Sequence, residues 1–299
     1  MGPTAAGKTA VAHILARQHN LPVISADSML VYRGMDIGTA KPGMAEREGV
    51  TYAGIDLAEP SEDFNVALYL RRTAEQANGW GGPVLVTGGT GLYVRCLLDG
   101  LEDVVPPDAE MRARAEAMLA AGGPAVLRDE LRKVSPETFS QLSDPQNPHR
   151  LIRALEHAWS GRIPSRGWKE RPPHIVIGLR LASDTLKARI EQRVDRMLEN
   201  GLLDEARRLR EMHPALSATA TKAIGYEEAW AVLDGAASVK EARSRICART
   251  RQLAKRQMTW FRHQLMTKWV DVDDGAKPVE VARAVWAKMQ EHGTQNILI

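Results

Sequence analysis

Gly2-Pro3-Thr4-Ala5-Ala6-Gly7-Lys8-Thr9 places two glycines, a lysine and a threonine at the spacing G-x-x-x-x-G-K-[ST]. Each fixed type has a chemical reason. The glycines let the loop curl so that successive backbone N–H groups point inward at phosphate oxygens. Lys8 supplies a mobile positive charge, and the Thr9 hydroxyl can ligate a magnesium ion shared with the phosphates. A helix beginning at Lys8 would aim its N-terminal dipole at the same anion. Gly2, Thr4, Ala5, Ala6, Gly7, Lys8 and Thr9 form the candidate phosphate-binding set, with Thr9 the candidate metal ligand. The loop, a signature of nucleotide-binding and ATP-binding proteins, reports a phosphate and not a reaction, because kinases, NTPases and a few transferases share it.

Two further residues could act beside it. Asp27 ends the apolar run Leu21–Ala26. In an open α/β sheet, ligands bind outside the carboxyl ends of the strands, so a carboxylate there can hold a metal through water or take a proton from a nucleophile. An Asp before Ser28 is also a good turn former, and both readings stay open on this residue alone. Thr90 lies in Thr87-Gly88-Gly89-Thr90-Gly91, where two glycines let another backbone come close and the threonine offers a hydroxyl at the same rim. A plain strand-to-helix turn would look the same.

The elements that must position these residues alternate. Lys8–His19 reads as a helix and Leu21–Ala26 as a strand. Pro83–Thr87 is a second strand running into a helix from Leu92. His174–Leu181 is a third, followed by a helix with Leu186, Ile190, Val194 and Met197 on one face. Such alternation implies a parallel sheet covered on both faces. Residues 108–172 differ, reading as helix after helix (Met111–Ala121, Ala125–Lys133, Pro148–Ser160) between Pro106-Pro107 and Pro172-Pro173. The expected organisation is an α/β fold, a P-loop-type parallel sheet flanked by helices, with an inserted all-helical subdomain. Residues 1–107 and 173–299 supply the core and 108–172 the insertion. A P-loop normally hangs from the end of a buried strand, so a short apolar strand is expected upstream of Met1.

Composition narrows the classes. Across 299 residues, 44% are apolar, 26% charged and 5% aromatic, the profile of a globular chain, which excludes collagen and disorder. No run approaches the ~18 uncharged apolar residues of a membrane span, and no basic-apolar leader opens the chain, so a cytoplasmic protein with no membrane partner is expected. Cys96 and Cys247 lie far apart in no Cys-x-x-Cys pair, which argues against a zinc site or a disulfide framework. Net charge is only +3, yet nine Lys or Arg fall between Lys240 and Lys268 against one acid, Glu241. A basic cluster on a near-neutral chain suits a polyanion, though solvated basic helices are also common. It falls on an expected helix, Ala242–Phe261, with Ile246, Leu253 and Trp260 at seven-residue spacing, and with Arg249, Gln252 and Arg256 sharing another face.

Together these residues spell a pattern. Gly2–Thr9, Asp27-Ser28-Met29-Leu30-Val31-Tyr32-Arg33-Gly34-Met35-Asp36-Ile37-Gly38-Thr39-Ala40-Lys41-Pro42 and Val86–Tyr93 closely resemble bacterial tRNA dimethylallyltransferases. So do Asn147–Glu156, Arg189–Met197, Ala223-Ile224-Gly225-Tyr226 and Thr250–Trp260, in order over residues 2 to about 262. One departure is His149, where many relatives have Gln. The resemblance implies that the P-loop holds the diphosphate of dimethylallyl diphosphate, with magnesium near Thr9. It implies that the dimethylallyl group moves to the exocyclic amine of the adenosine 3′ of the anticodon. Lys8, Thr9, Asp27 and Arg193 would be catalytic, Asp27 as general base and Arg193 as positive charge at the leaving group. Asp27, Ser28, Met29, Leu30, Thr90, Arg112, His149, Arg150, Leu151, Ile152 and Arg153 would contact the tRNA. Arg249 and Arg256, on the basic helix, would track its phosphates. The expected partners are the tRNA anticodon stem-loop and dimethylallyl diphosphate, with the protein a monomer.

The residues leave rivals: a small-metabolite kinase with ATP in the loop, a prenyltransferase acting on free adenine nucleotides, and an RNA-binding switch. The basic stretch argues against the kinase, the helical insertion against free nucleotides, and Asp27 with Arg193 against the switch.

Overall fold

The computed structural model describes residues 1–101, 108–142, 144–161 and 174–298. The expected boundaries at Pro106-Pro107 and Pro172-Pro173 lie outside the described residues. The chain divides into two compact units, Met1–Gly100 with Pro172–Ile299, and Leu101–Arg171.

The larger unit begins with α1 (Lys8–His19), which stops at Asn20 in the left-handed conformation (φ 51°). Strand β1 (Val23–Ala26) is buried along its whole length, as an all-apolar or small run inside a parallel sheet must be. After the single turn α2 (Met44–Arg47) comes β2 (Tyr52–Ala53), then α3 (Val66–Gln76), capped by Asn65. Next are β3 (Leu85–Gly88) and α4 (Gly91–Asp99). The strands form a parallel sheet in the order β2-β1-β3, with Val23 opposite Leu85 and Ala26 opposite Gly88.

In the smaller unit every described element is a helix. α5 (Ala109–Val134) is capped by Asp108 and broken at Gly123 (φ 67°) before Pro124, close to where the sequence ends one helix and starts another. α6 (Pro136–Gln141), which the sequence pattern did not suggest, is capped by Ser135, and α7 (Pro148–Trp159) by Asn147. Leu127, Leu131, Leu151 and Leu155 are fully buried in this unit's own core.

The larger unit resumes with β4 (Ile175–Arg180), α8 (Ser183–Glu199), α9 (Leu202–Met212), a 3-10 turn at Ala220–Lys222 and α10 (Tyr226–Leu233). The long α11 (Val239–Gln264), with a Ser238/Glu241 capping box, is followed by β5 (Met266–Asp271) and α12 (Pro278–His292). β4 and β5 pair in parallel from Ile175–Met266 to Arg180–Asp271. Along α11 the buried stripe is Ala242, Ile246, Thr250, Ala254 and Phe261, a true helical period, whereas the seven-residue spacing marks only its edge.

A space lies between β3 and β4. It is a cavity of about 860 Å³ lined by Val11, Leu15, Val86, Leu97, Val176 and Ile177, among others. The backbone of Met1 lies along β4: its nitrogen donates to the Ile177 carbonyl at 2.6 Å, and Leu179 N–H donates to the Met1 carbonyl at 2.9 Å. That is the bonding of a parallel strand.

Candidate active site

The phosphate loop passes through left-handed backbone at Ala5 (φ 62°) and Gly7 (φ 87°), the residue that caps α1. Gly2 is required by closeness as well as by its φ of 141°, since a Cβ there would stand 2.8 Å from the Leu179 carbonyl oxygen. Ala6 N–H closes the loop onto the Pro3 carbonyl at 3.3 Å. Lys8 folds back over it, donating to the same carbonyl at 2.7 Å. Burial holds the Lys8 ammonium down at about 8, Asp27 pulls it up, and Arg193 pushes it down. Thr9 is exposed in the first turn of α1, where helix N–H groups have no partners within the helix.

Asp27 leaves the end of β1 half-buried, and its Oδ1 accepts from Met29 N–H at 3.0 Å. That bond is the turn-former's, and among the described residues it leaves the second oxygen without a protein hydrogen-bond partner. Thr90, at the end of β3, ties the two strand ends together. Its N–H donates to the Ala26 carbonyl at 3.1 Å, and its Oγ1 accepts from Ser28 N–H at 2.9 Å. Behind them Tyr69 and Tyr93 stack at 4.0 Å, and burial, with a smaller push from Asp27, raises both phenols above their usual range.

Arg193, one face of α8, donates to the Thr39 carbonyl at 2.9 Å, and burial lowers its guanidinium while Asp27 raises it. The loop just before Thr39 is held in turn by a group the sequence reading missed. Glu205, buried on α9, accepts N–H bonds from Asp36, Ile37 and Gly38 at 2.8–3.1 Å and the Tyr226 hydroxyl at 2.7 Å. Nothing in the spacing linked it to a loop 167 residues earlier. Arg189 was also missed as a site residue. It sits one turn before Arg193, and its Nη1 lies 3.8 Å from the point where a side chain at Gly7 would begin. The i, i+4 pair in Arg189-Ile190-Glu191-Gln192-Arg193 was the available signal.

Residues 30–264 match the family described as IPP transferase, and residues 1–56 match the one described as isopentenyl transferase. The chain belongs to the IPP transferase family. It is 40% identical over 280 residues to the tRNA dimethylallyltransferase of Thermomicrobium roseum, covering 91% of this chain and 85% of that one. With the tRNA dimethylallyltransferase of Desulforudis audaxviator it shares 39% over 300 residues, covering 97% and 96%. The crystal structure of the tRNA isopentenylpyrophosphate transferase of Bacillus halodurans superposes with a TM-score of 0.63 at 37% identity, covering 97% of this chain and 95% of that one. A eukaryotic dimethylallyltransferase acting on tRNA shares the fold, with a TM-score of 0.78 at 24% identity, covering 98% and 79%.

Several residues expected at an RNA contact in this IPP transferase have partners within the protein. Leu151 and Ile152 are buried in the core of the smaller unit, because an amphipathic α7 must turn that face inward. Their side chains are not available to RNA. Arg112 and Arg153 both bind the buried Glu156, Arg112 through Nε at 2.7 Å, which anchors α5 to α7. His149 and Arg150 are exposed in the first turn of α7. Arg249 is neutralised by Glu227 at 2.7 Å and Glu228 at 2.6 Å, and Arg243 binds Asp195. Arg256 is exposed and has no ion pair among the described residues. The basic stretch of α11 is therefore in part a docking face toward α8 and α10.

No three His, Cys, Asp or Glu side chains gather to cage a metal among the described residues. The Thr9 hydroxyl, exposed beside the loop, is a hard oxygen donor. It fits an ion that arrives with a diphosphate and takes its other ligands from phosphate oxygens and water.

Proposed function

We propose that this IPP transferase moves a dimethylallyl group from dimethylallyl diphosphate onto the exocyclic amine of the adenosine 3′ of the anticodon in tRNA. The observation that supports this reading is Lys8 folded over the Gly2–Thr9 loop, with Thr90 tying the Asp27 turn to the neighbouring strand end. A P-loop sheet, with residues 108–172 as a helical subdomain for the anticodon stem-loop, is the architecture this implies. The reading includes a cytoplasmic monomer. No helix among the described residues is long and apolar enough to cross a membrane.

An adenine amine is a weak nucleophile because its lone pair is delocalised into the ring. Asp27 accepts the amine proton as the new N–C bond forms at the allylic carbon and the C–O bond to diphosphate breaks. Lys8 leaves the Pro3 carbonyl for the diphosphate, and with Arg193 and the loop N–H groups it meets the charge that grows on the leaving oxygen. The Thr9 hydroxyl would be the protein's ligand to a magnesium ion, which would supply further charge neutralisation. The base must leave the anticodon-loop stack to reach Asp27, as in other base-modifying enzymes. Incubation with magnesium, labelled dimethylallyl diphosphate and total tRNA tests this directly. Label entering tRNA is the expected result. ATP turnover without label in tRNA would replace the reading with a kinase.

A further inference from the structure

Gln257 reaches from α11 into the space between the two halves of the site. Its Oε1 accepts the Thr4 N–H of the phosphate loop at 2.8 Å, across 253 residues of sequence. Its Nε2 lies against Gly89, so closely that a Cβ built there would stand 2.4 Å from it, and the Gly2 carbonyl oxygen is 3.5 Å from the same point. Gly89 is buried, and its neighbour Thr90 holds Ala26 and Ser28, hence the turn that carries Asp27. One side chain thus touches the loop that grips the leaving group and the turn that aims the base.

We propose that Gln257 is a positioning residue that keeps the diphosphate loop in register with the Asp27–Thr90 turn. The inference rests on the proposed reaction. Chemistry accounts for the residue type. Thr4 N–H needs an acceptor to stay fixed, and an anion in that place would repel the diphosphate a few ångströms away. A neutral amide accepts from Thr4 through its oxygen and presents N–H to the opposite side. A methionine of the same length would fill the space and make neither contact. In-line transfer depends on the distance and angle between amine and allylic carbon, so a small slip of either half is costly.

The test compares Gln257→Met with Gly89→Ala, whose added methyl would crowd the end of Gln257 and push its amide aside while meeting the Gly2 carbonyl oxygen at ordinary contact distance. Each is expected to weaken calorimetric binding of magnesium pyrophosphate about tenfold, as for one lost hydrogen bond at the loop. Each should lower kcat/KM for dimethylallyl diphosphate at least as much, with tRNA affinity within about twofold. In the double variant the losses should not add, since both remove one contact. If Gln257 only fills space, Gln257→Met will bind pyrophosphate and turn over like the unaltered protein, and additive losses in the double variant would equally overturn the proposal. Pyrophosphate binding needs no RNA and no prenyl chemistry. Failure of the unaltered protein to label tRNA would therefore sink the proposed reaction, while the pyrophosphate comparison still decides the role of Gln257. A protein that binds no pyrophosphate would overturn both.

Discussion

Burial and Arg193 lower the Lys8 ammonium to about 8 from an ordinary 10.5, against the pull of Asp27, so its charge is lost within the range where binding is measured. The charged form is the one that attracts diphosphate. As pH rises through about 8 the empty site loses that charge, and affinity for magnesium pyrophosphate is expected to fall. Lys8→Arg should remove this part of the pH profile, because a guanidinium stays charged there. Calorimetry on both proteins from pH 7 to 9 checks it, and parallel profiles would assign the dependence to pyrophosphate itself. The sign for stability runs the other way. Between about 8 and 10.5 the unfolded chain holds a proton that the folded one lacks, so Lys8 lets stability rise with pH. At Asp27, replacement by Ala is expected to cut kcat by about 10²–10⁴ while leaving tRNA affinity within a few-fold. Turnover that survives in Asp27→Ala would leave that residue only its turn with Met29.

Helix α11 separates two kinds of arginine that look alike in sequence. Arg249 neutralises Glu228, which is buried, and Glu227, which is exposed. Removing it strands a buried carboxylate that keeps only the Gly225 N–H, at a cost of about 1–3 kcal/mol. Arg249→Ala should therefore lower Tm by several degrees. Arg256 is exposed, so Arg256→Ala should leave Tm unchanged, weaken tRNA binding and flatten its salt slope by about one phosphate contact. Thermal melts and salt-dependent tRNA binding of both variants distinguish the roles. An unaltered salt slope in Arg256→Ala would make that side chain an ordinary solvated surface group.

In the larger unit, the space between β3 and β4 is lined by apolar side chains of both strands and of α1. The Met1 backbone already pairs with Ile177 and Leu179, so residues added ahead of it would run beside Ile175 and Val176. Each fully buried Val or Ile contributes about 1.5–3 kcal/mol, against about 1–2 kcal/mol for ordering its backbone. An extension of about four such residues before Met1 is expected to raise Tm and slow exchange of the β3 and β4 amides. A Gly/Ser extension of equal length should do neither. Equal melting of the two extended forms would show that the cavity does not accept a strand.

The sequence by itself carried the family and the candidate chemistry: Gly2–Thr9 has the spacing of a loop that cradles phosphate, and Asp27 and Thr90 fall at strand ends because apolar runs stop there. It also marked β1, β3 and β4, whose buried runs are continuous, and α8 and α11, whose periods are regular. Helix α9 had the same kind of signal in Leu202, Ala206 and Leu209, and was not read. Strand β5 had none, since Met266–Asp271 is a strand chiefly through its pairing with β4. Only the tertiary structure decided which charges are spent inside the protein. Arg249, Arg112 and Arg153 read as cations for RNA, but their partners Glu227, Glu228 and Glu156 are brought to them by helix packing. Glu205 under the Asp36–Gly38 loop and Gln257 between the two halves of the site are contacts across more than 160 residues. Spacing along a chain carries no information about such pairs, because the sheet and the helices packed on it bring them together.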